Sequence, residues 1–181
     1  MRIIAGQHRG LTLASVGKGD EAAHLRPTPD RVRESLFNVL MSYSLPHGAR
    51  VLDLFAGTGA LGLEALSRGA EHVTFVDNGR VAQKLIRENI AKTRREDDTT
   101  LLTCAANKLP MASAPCDLVF LDPPYGKSLG EAALLIAHKS GWLAGDALIV
   151  FEENTPQAVA GFEQVDLRRY GDTHITLLRA Q

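Results

Sequence analysis

The spacing of apolar positions changes period several times along the chain. Val32, Leu36, Phe37, Val39, Leu40 and Tyr43 recur at helical spacing. Asp30 stands where a helix cap belongs, and Pro46-His47-Gly48 would stop that helix. A different rhythm starts at Arg50. Val51–Phe55 is a short apolar run, followed by glycines and a helical stretch to about Arg68. His72–Asp77 reads as a second strand, and residues 80–95 as a helix with Val81, Leu85, Ile86 and Ile90 on one face. Leu101–Cys104 and Asp117–Leu121 read as strands, residues 129–139 as a helix, and Ala147–Phe151 as a fifth strand. Two tail strands, near Gln164–Arg169 and His174–Leu178, flank Gly171. Strands alternating with helices predict an α/β fold with a mostly parallel sheet. Two final strands joined by only a turn predict an antiparallel strand at one edge.

The first residues break this pattern. RIIAGQHRGLTLAS alternates short apolar runs with Gly6 and Gly10, and reads as a small hairpin. The following glycine- and proline-punctuated stretch reads as a loop. The expected organisation is an N-terminal hairpin arm over residues 1–25 and a compact domain over 26–181.

Length and composition narrow the class. A chain of 181 residues with 45% hydrophobic residues has enough apolar material for one sizeable core. Twenty basic and 21 acidic residues leave a net charge of -1, which excludes a uniformly basic nucleic-acid binder. The charge is nevertheless segregated: residues 1–18 carry +3, 19–78 carry -3, 79–95 carry +5 and 96–181 carry -6. No apolar run approaches the roughly 20 residues of a membrane span, and MRIIAGQHRG has no signal-like run, so the expectation is a cytoplasmic protein. Cys104 and Cys116 lack metal-ligand spacing and the histidines are scattered, so no metal is expected.

Two motifs carry chemistry. Gly57-Thr58-Gly59-Ala60-Leu61-Gly62 follows a strand and opens a helix, which lets backbone approach a ligand closely. Asp77 lies 20 residues beyond Gly57, at the end of the second strand, where a carboxylate can hold ribose hydroxyls. The same pattern serves dinucleotides and methyl donors. Asp53, inside the first strand, discriminates between them. A pyrophosphate at the helix N-terminus would be repelled by it, whereas the sulfonium and ammonium of S-adenosylmethionine favour a carboxylate. A nucleotide-dependent oxidoreductase is therefore the weaker reading.

Asp122-Pro123-Pro124-Tyr125 closes the strand DLVFL. The prolines fix φ and remove two donors, leaving a stiff edge of acceptors made by the Asp122 carboxylate and the Pro123 carbonyl. Such an edge can accept both hydrogens of an exocyclic amine and free its lone pair for attack on a methyl sulfonium. Tyr125 supplies a flat face for a flipped base.

VLDLFAGTG followed by DPPY resembles the class I S-adenosylmethionine-dependent amino-methyltransferases. Arg2–Gly6, Arg26–Leu40, Leu61–Ala70, Gly141–Leu143 and Tyr170–Thr173 narrow the resemblance to the RsmD family, over nearly the entire chain. That resemblance implies a Rossmann-like seven-stranded sheet with an N-terminal hairpin, and methylation of a guanine N2 amine in 16S ribosomal RNA, within the small subunit or an assembly intermediate. It implies Asp53, Phe55, Gly57 and Gly59 around the methionine part of S-adenosylmethionine, and Asp77 with Asn78 at the ribose. Asp122, Pro123, Pro124 and Tyr125 would hold the guanine amine, with the Arg26–Thr28 segment covering the site. One departure stands out: Ala105 occupies the place of a polar Asp or Asn that reads the adenine amine. The Ala106 N–H remains for the adenine ring, with Asn107 as a substitute reader. The basic residues Arg2, Arg9, Arg26 and Arg33, with Thr28, form the expected RNA contacts. Amino-methylation of adenine N6 in DNA or of a protein glutamine uses a similar proline turn and is the alternative.

Overall fold

The computed structural model describes residues 1–17, 25 and 27–181. Seven strands form one sheet in the order β3-β2-β1-β4-β5-β7-β6. They are β1 (Arg50–Leu54), β2 (His72–Val76), β3 (Thr99–Leu102), β4 (Cys116–Leu121), β5 (Leu143–Glu153), β6 (Phe162–Tyr170) and β7 (Thr173–Ala180). The first five run parallel, and β7 inserts antiparallel between β5 and the edge strand β6. Four helices, α1 (Asp30–Met41), α2 (Ala60–Ser67), α3 (Arg80–Thr93) and α4 (Leu129–Lys139), cover the sheet.

Strand alternation sorts the core into two layers. Val51, Phe75, Leu118, Phe120, Leu148 and Val150 pack with α1, α2, α3 and the N-terminal residues Ile3 and Leu13. Leu52, Leu54, Val119, Leu121, Ile149 and Phe151 pack with Ala133, Leu134 and Ala137 of α4 and with Trp142. The helices follow the spacing of their apolar residues. In α3, Ala82, Leu85, Ile86, Asn89, Ile90 and Thr93 form the buried stripe.

Two local expectations are corrected, those for Asp30 and Arg33. The N-terminal residues pair through one antiparallel bridge, Arg2 with Thr12, and through backbone hydrogen bonds from the Ile3 N–H to the Leu11 carbonyl, the Gly10 N–H to the Ile3 carbonyl and the Leu13 N–H to the Met1 carbonyl. Helix side chains satisfy further backbone groups of this segment. The buried Glu64 carboxylate accepts the N–H groups of Ile4 and Ala5, and Asn89 exchanges hydrogen bonds with both backbone groups of Ala14. The segment is therefore sewn to α2 and α3 and does not project as an arm. Asp30 does not cap α1, whose N-cap is Pro29; the Asp30 carboxylate pairs with Arg33 one turn on. Arg33, expected at the RNA surface, is fully buried and donates to the Arg2 carbonyl and to Asp30. Helix spacing explains this, because Arg33 shares the buried stripe of Leu36, Phe37 and Leu40. Its burial lowers its pKa, an effect that Asp30 opposes.

Candidate active site

Register places the chemistry. Leu54 pairs with Val76 on one side and Leu121 on the other, and Leu121 pairs with Phe151. The next residue on each strand reaches the carboxyl end of the sheet, where ligands of open α/β folds bind. Those four residues are Phe55, Asp77, Asp122 and Glu152, and all four line one cavity of about 640 Å³. Asp53, Gly57, Thr28, Asn78, Pro123, Pro124 and Tyr125 line it as well.

Three left-handed residues shape the glycine loop. Phe55 (φ 58°) turns the chain out of β1, Gly57 (φ 61°) follows two residues on, and Gly59 (φ 80°) is the N-cap of α2. A left-handed N-cap favours glycine, since a Cβ would strain the backbone. Gly62, one turn on, meets the Phe75 ring and Val73 where its Cβ would be, so α2 lies tight on β2. The Asp53 carboxylate points the same way. Its Oδ2 accepts the Gly62 N–H at 3.0 Å, and burial holds its pKa up at about 8, with Asp77 adding to the rise. Asp77 clamps the loop from the other side. Its Oδ2 accepts the Gly57 N–H at 3.0 Å and its Oδ1 the Gly79 N–H at 2.8 Å. A carboxylate has about four acceptor sites, so acceptor capacity remains on both oxygens.

The proline turn is braced on three sides. Gly130, in the first turn of α4, has no Cβ to strike Phe151 or the Pro123 ring, which brings α4 against the turn. Glu153 accepts the Gly126 and Asn154 N–H groups. The Tyr125 hydroxyl donates to Glu152 Oε1 at 2.9 Å and lies 3.1 Å from Thr173 Oγ1. Glu152 Oε2 accepts from the Thr28 hydroxyl at 3.3 Å. Asp122 is half-buried at the cavity wall, and its pKa is raised by desolvation first and then by the neighbouring charges of Glu152, Asp53 and Glu153. Burial also raises Glu152, against which the Tyr125 and Thr28 hydroxyls act.

Of the expected site residues, the structure brings together Asp53, Phe55, Gly57, Asp77, Asn78, Asp122, Pro123, Pro124, Tyr125 and Thr28. Gly59 sits just beneath the cavity as the α2 cap. Ala106 does not line the cavity; it is buried at the start of a 3-10 turn, against the layer containing Leu54 and Val76. Arg2 and Arg9 are exposed, Arg2 being 3.6 Å from Asp30, and Arg26 lies outside the described residues. Glu152 lies in neither sequence motif. Its signal is positional: it follows Phe151 as Asp122 follows Leu121.

No group of three or more His, Cys, Asp or Glu suited to a metal ion occurs among the described residues, and no described helix is long and apolar enough to cross a membrane.

Known proteins agree with this geometry. The family described as Conserved hypothetical protein 95 matches residues 1–179. Ribosomal RNA small subunit methyltransferase D of Escherichia coli K12 is 40% identical, over 84% of this chain and 74% of its own. The protein of the same name from Haemophilus influenzae is 38% identical, over 84% and 78%. The solved structure of yhhF from Escherichia coli superposes with a TM-score of 0.85 at 36% identity, covering 100% of this chain and 98% of that one. With the family matched over almost its whole length and its relatives bearing methyltransferase names, this chain belongs to the Conserved hypothetical protein 95 family of methyltransferases.

Proposed function

We propose that the protein moves the methyl group of S-adenosylmethionine to the exocyclic N2 amine of a guanine in small-subunit ribosomal RNA. The observation that carries this reading is Asp122: a half-buried carboxyl at a double-proline turn, lining the same cavity as Asp53 and Asp77. The rRNA substrate is supported by the names of the relatives. The amine is supported by the acceptor edge of the turn.

The residues fit the cofactor. A buried carboxyl held near pKa 8 by desolvation is relieved by a cation beside it, which suits Asp53 to the ammonium or sulfonium end. Asp77 retains acceptor sites for two ribose hydroxyls, with Asn78 next to it on the wall. S-adenosylmethionine bound there would supply an electrophilic methyl on a sulfonium sulfur, which keeps the electron pair of the broken C–S bond and leaves as the thioether of S-adenosylhomocysteine. Phe55 and the Gly57–Gly59 backbone would shape the methionine end. The adenine end is served by fewer groups, since Ala105 carries no polar reader and Ala106 is turned into the core.

On the substrate side, Asp122 and the Pro123 carbonyl accept the two amine hydrogens and orient the nitrogen lone pair. Asp122 then takes the proton that the nitrogen loses as its new bond to carbon forms. Tyr125 presents its ring to the base while its hydroxyl is fixed by Glu152. Exocyclic amines are hard to reach within a duplex, so the guanine would enter unstacked. Arg2 and Arg9 supply exposed positive charge for phosphates, a role from which Arg33 is withdrawn by burial.

The test is incubation of the purified protein and labelled S-adenosylmethionine with undermethylated small ribosomal subunits, naked rRNA, DNA and a glutamine-bearing protein. Label in an rRNA guanine supports the reading; label in DNA or protein alone refutes it.

A further inference from the structure

Glu152 stands outside the two motifs, yet both its carboxylate oxygens are engaged at the amine end of the cavity. It comes from β5, and its two hydrogen-bond partners come from two other places in the chain. Thr28 precedes α1, and Tyr125, which also meets Thr173 at the start of β7, follows β4. Thr28 is itself buried, so its hydroxyl has lost water as a partner and spends its hydrogen on Glu152 Oε2. The other oxygen takes the Tyr125 hydroxyl. One carboxylate therefore ties the residues ahead of α1 to the proline turn, across the mouth through which a base would reach Asp122.

We propose that Glu152 is a positioning residue for the transfer: its carboxylate bridges Thr28 and Tyr125, fixing two walls of the amine end around Asp122. The proposal rests on the methyl-transfer reading above and adds to it a residue that does not touch the reacting atoms. A shift of either wall moves the amine relative to Asp122, and misplacement of that kind is felt in kcat more than in cofactor binding. The bridge has an electrostatic side as well. Two hydroxyl donors favour the charged form of Glu152. That charge, with those of Asp53 and Glu153, makes Asp122 a better proton acceptor. Lys127 also lines the cavity.

Two substitutions separate these parts. Glu152→Ala breaks the bridge. In the ligand-free protein, amides of residues 27–33 and 122–126 should then exchange with deuterium several-fold faster. With undermethylated small subunits, kcat should fall roughly ten- to hundredfold and KM for RNA should rise. Affinity for S-adenosylmethionine by calorimetry should stay within about threefold of the parent. Glu152→Gln keeps the shape and removes the charge, so the acid limb of the kcat–pH profile should move to lower pH. If Glu152→Ala does not fold, Thr28→Val deletes one donor and should speed the same exchange and lower kcat in the same direction. Unchanged exchange with unchanged kcat overturns the proposal, as does a loss confined to cofactor affinity. Failure of the methyl-transfer reading looks different, because the parent protein would then label no RNA, and the exchange measurement alone would decide the bridge.

Discussion

Asp122 and Glu152 stand side by side, each one residue beyond the paired positions Leu121 and Phe151 on adjacent parallel strands. Both line the cavity. The two hydroxyls on Glu152 favour its charged form, and that charge beside Asp122 raises the proton affinity of Asp122, which suits it to take the proton the amine loses. Asp122→Ala should therefore leave S-adenosylmethionine binding intact and lower kcat by about 10²–10³-fold, the usual loss for a group acting on a developing charge. Calorimetry and single-turnover transfer check the two halves.

Asp53 predicts a pH dependence of cofactor binding. With its pKa at about 8 in the free protein, it is mostly protonated at pH 7 and must ionise to pair with a cation. Affinity should rise with pH up to about 8 and then level. Binding at pH 7 should release a proton, visible in titrations run in buffers of different ionisation enthalpy. Asp53→Asn should flatten the profile at a low affinity.

The same residue sets a stability trend with the opposite sign. Its folded pKa lies above the unfolded value, so the folded state binds more protons between about pH 4 and pH 8. Its contribution is fully present below the unfolded pKa and is lost as pH rises through about 8. Asp53→Asn, whose side-chain oxygen still accepts from Gly62, should melt higher than the parent at pH 8 without ligand, and the gap should close at acid pH.

Arg33 and Arg9 should part company. Arg33→Ala empties a buried site and leaves Asp30 with only the longer, exposed contact to Arg2, so it should cost about 2–4 kcal/mol, or roughly 4–16 °C in Tm. Arg9→Ala should leave Tm unchanged and reduce the salt dependence of RNA binding by about one unit of slope. Thermal melts and filter binding across a salt series distinguish a structural arginine from a phosphate contact.

Much of this arrangement was legible in the amino-acid order. Alternating apolar runs yielded the mostly parallel sheet with an antiparallel strand at one side, though not the insertion of β7 inside the edge strand β6, and the two glycine- and proline-marked turns located Asp53, Asp77 and Asp122. What escaped depends on pairing at a distance. Arg33 looked like surface charge because its partners, Asp30 and the Arg2 carbonyl, complete it only after the N-terminal residues dock. The docking of those residues was hidden because Glu64 and Asn89, which hold them, lie 59 to 75 positions away. Glu152 lies in neither motif, and only the register of β4 with β5 carries it to the rim beside Asp122.

The central claim is the identity of the methylated atom. Undermethylated small ribosomal subunits should be treated with the purified protein and labelled S-adenosylmethionine, and the rRNA digested to nucleosides for mass spectrometry. The account predicts label in N2-methylguanosine from the rRNA, abolished by Asp122→Ala. Label in N6-methyladenosine, in ribosomal protein, or undiminished by Asp122→Ala would contradict it.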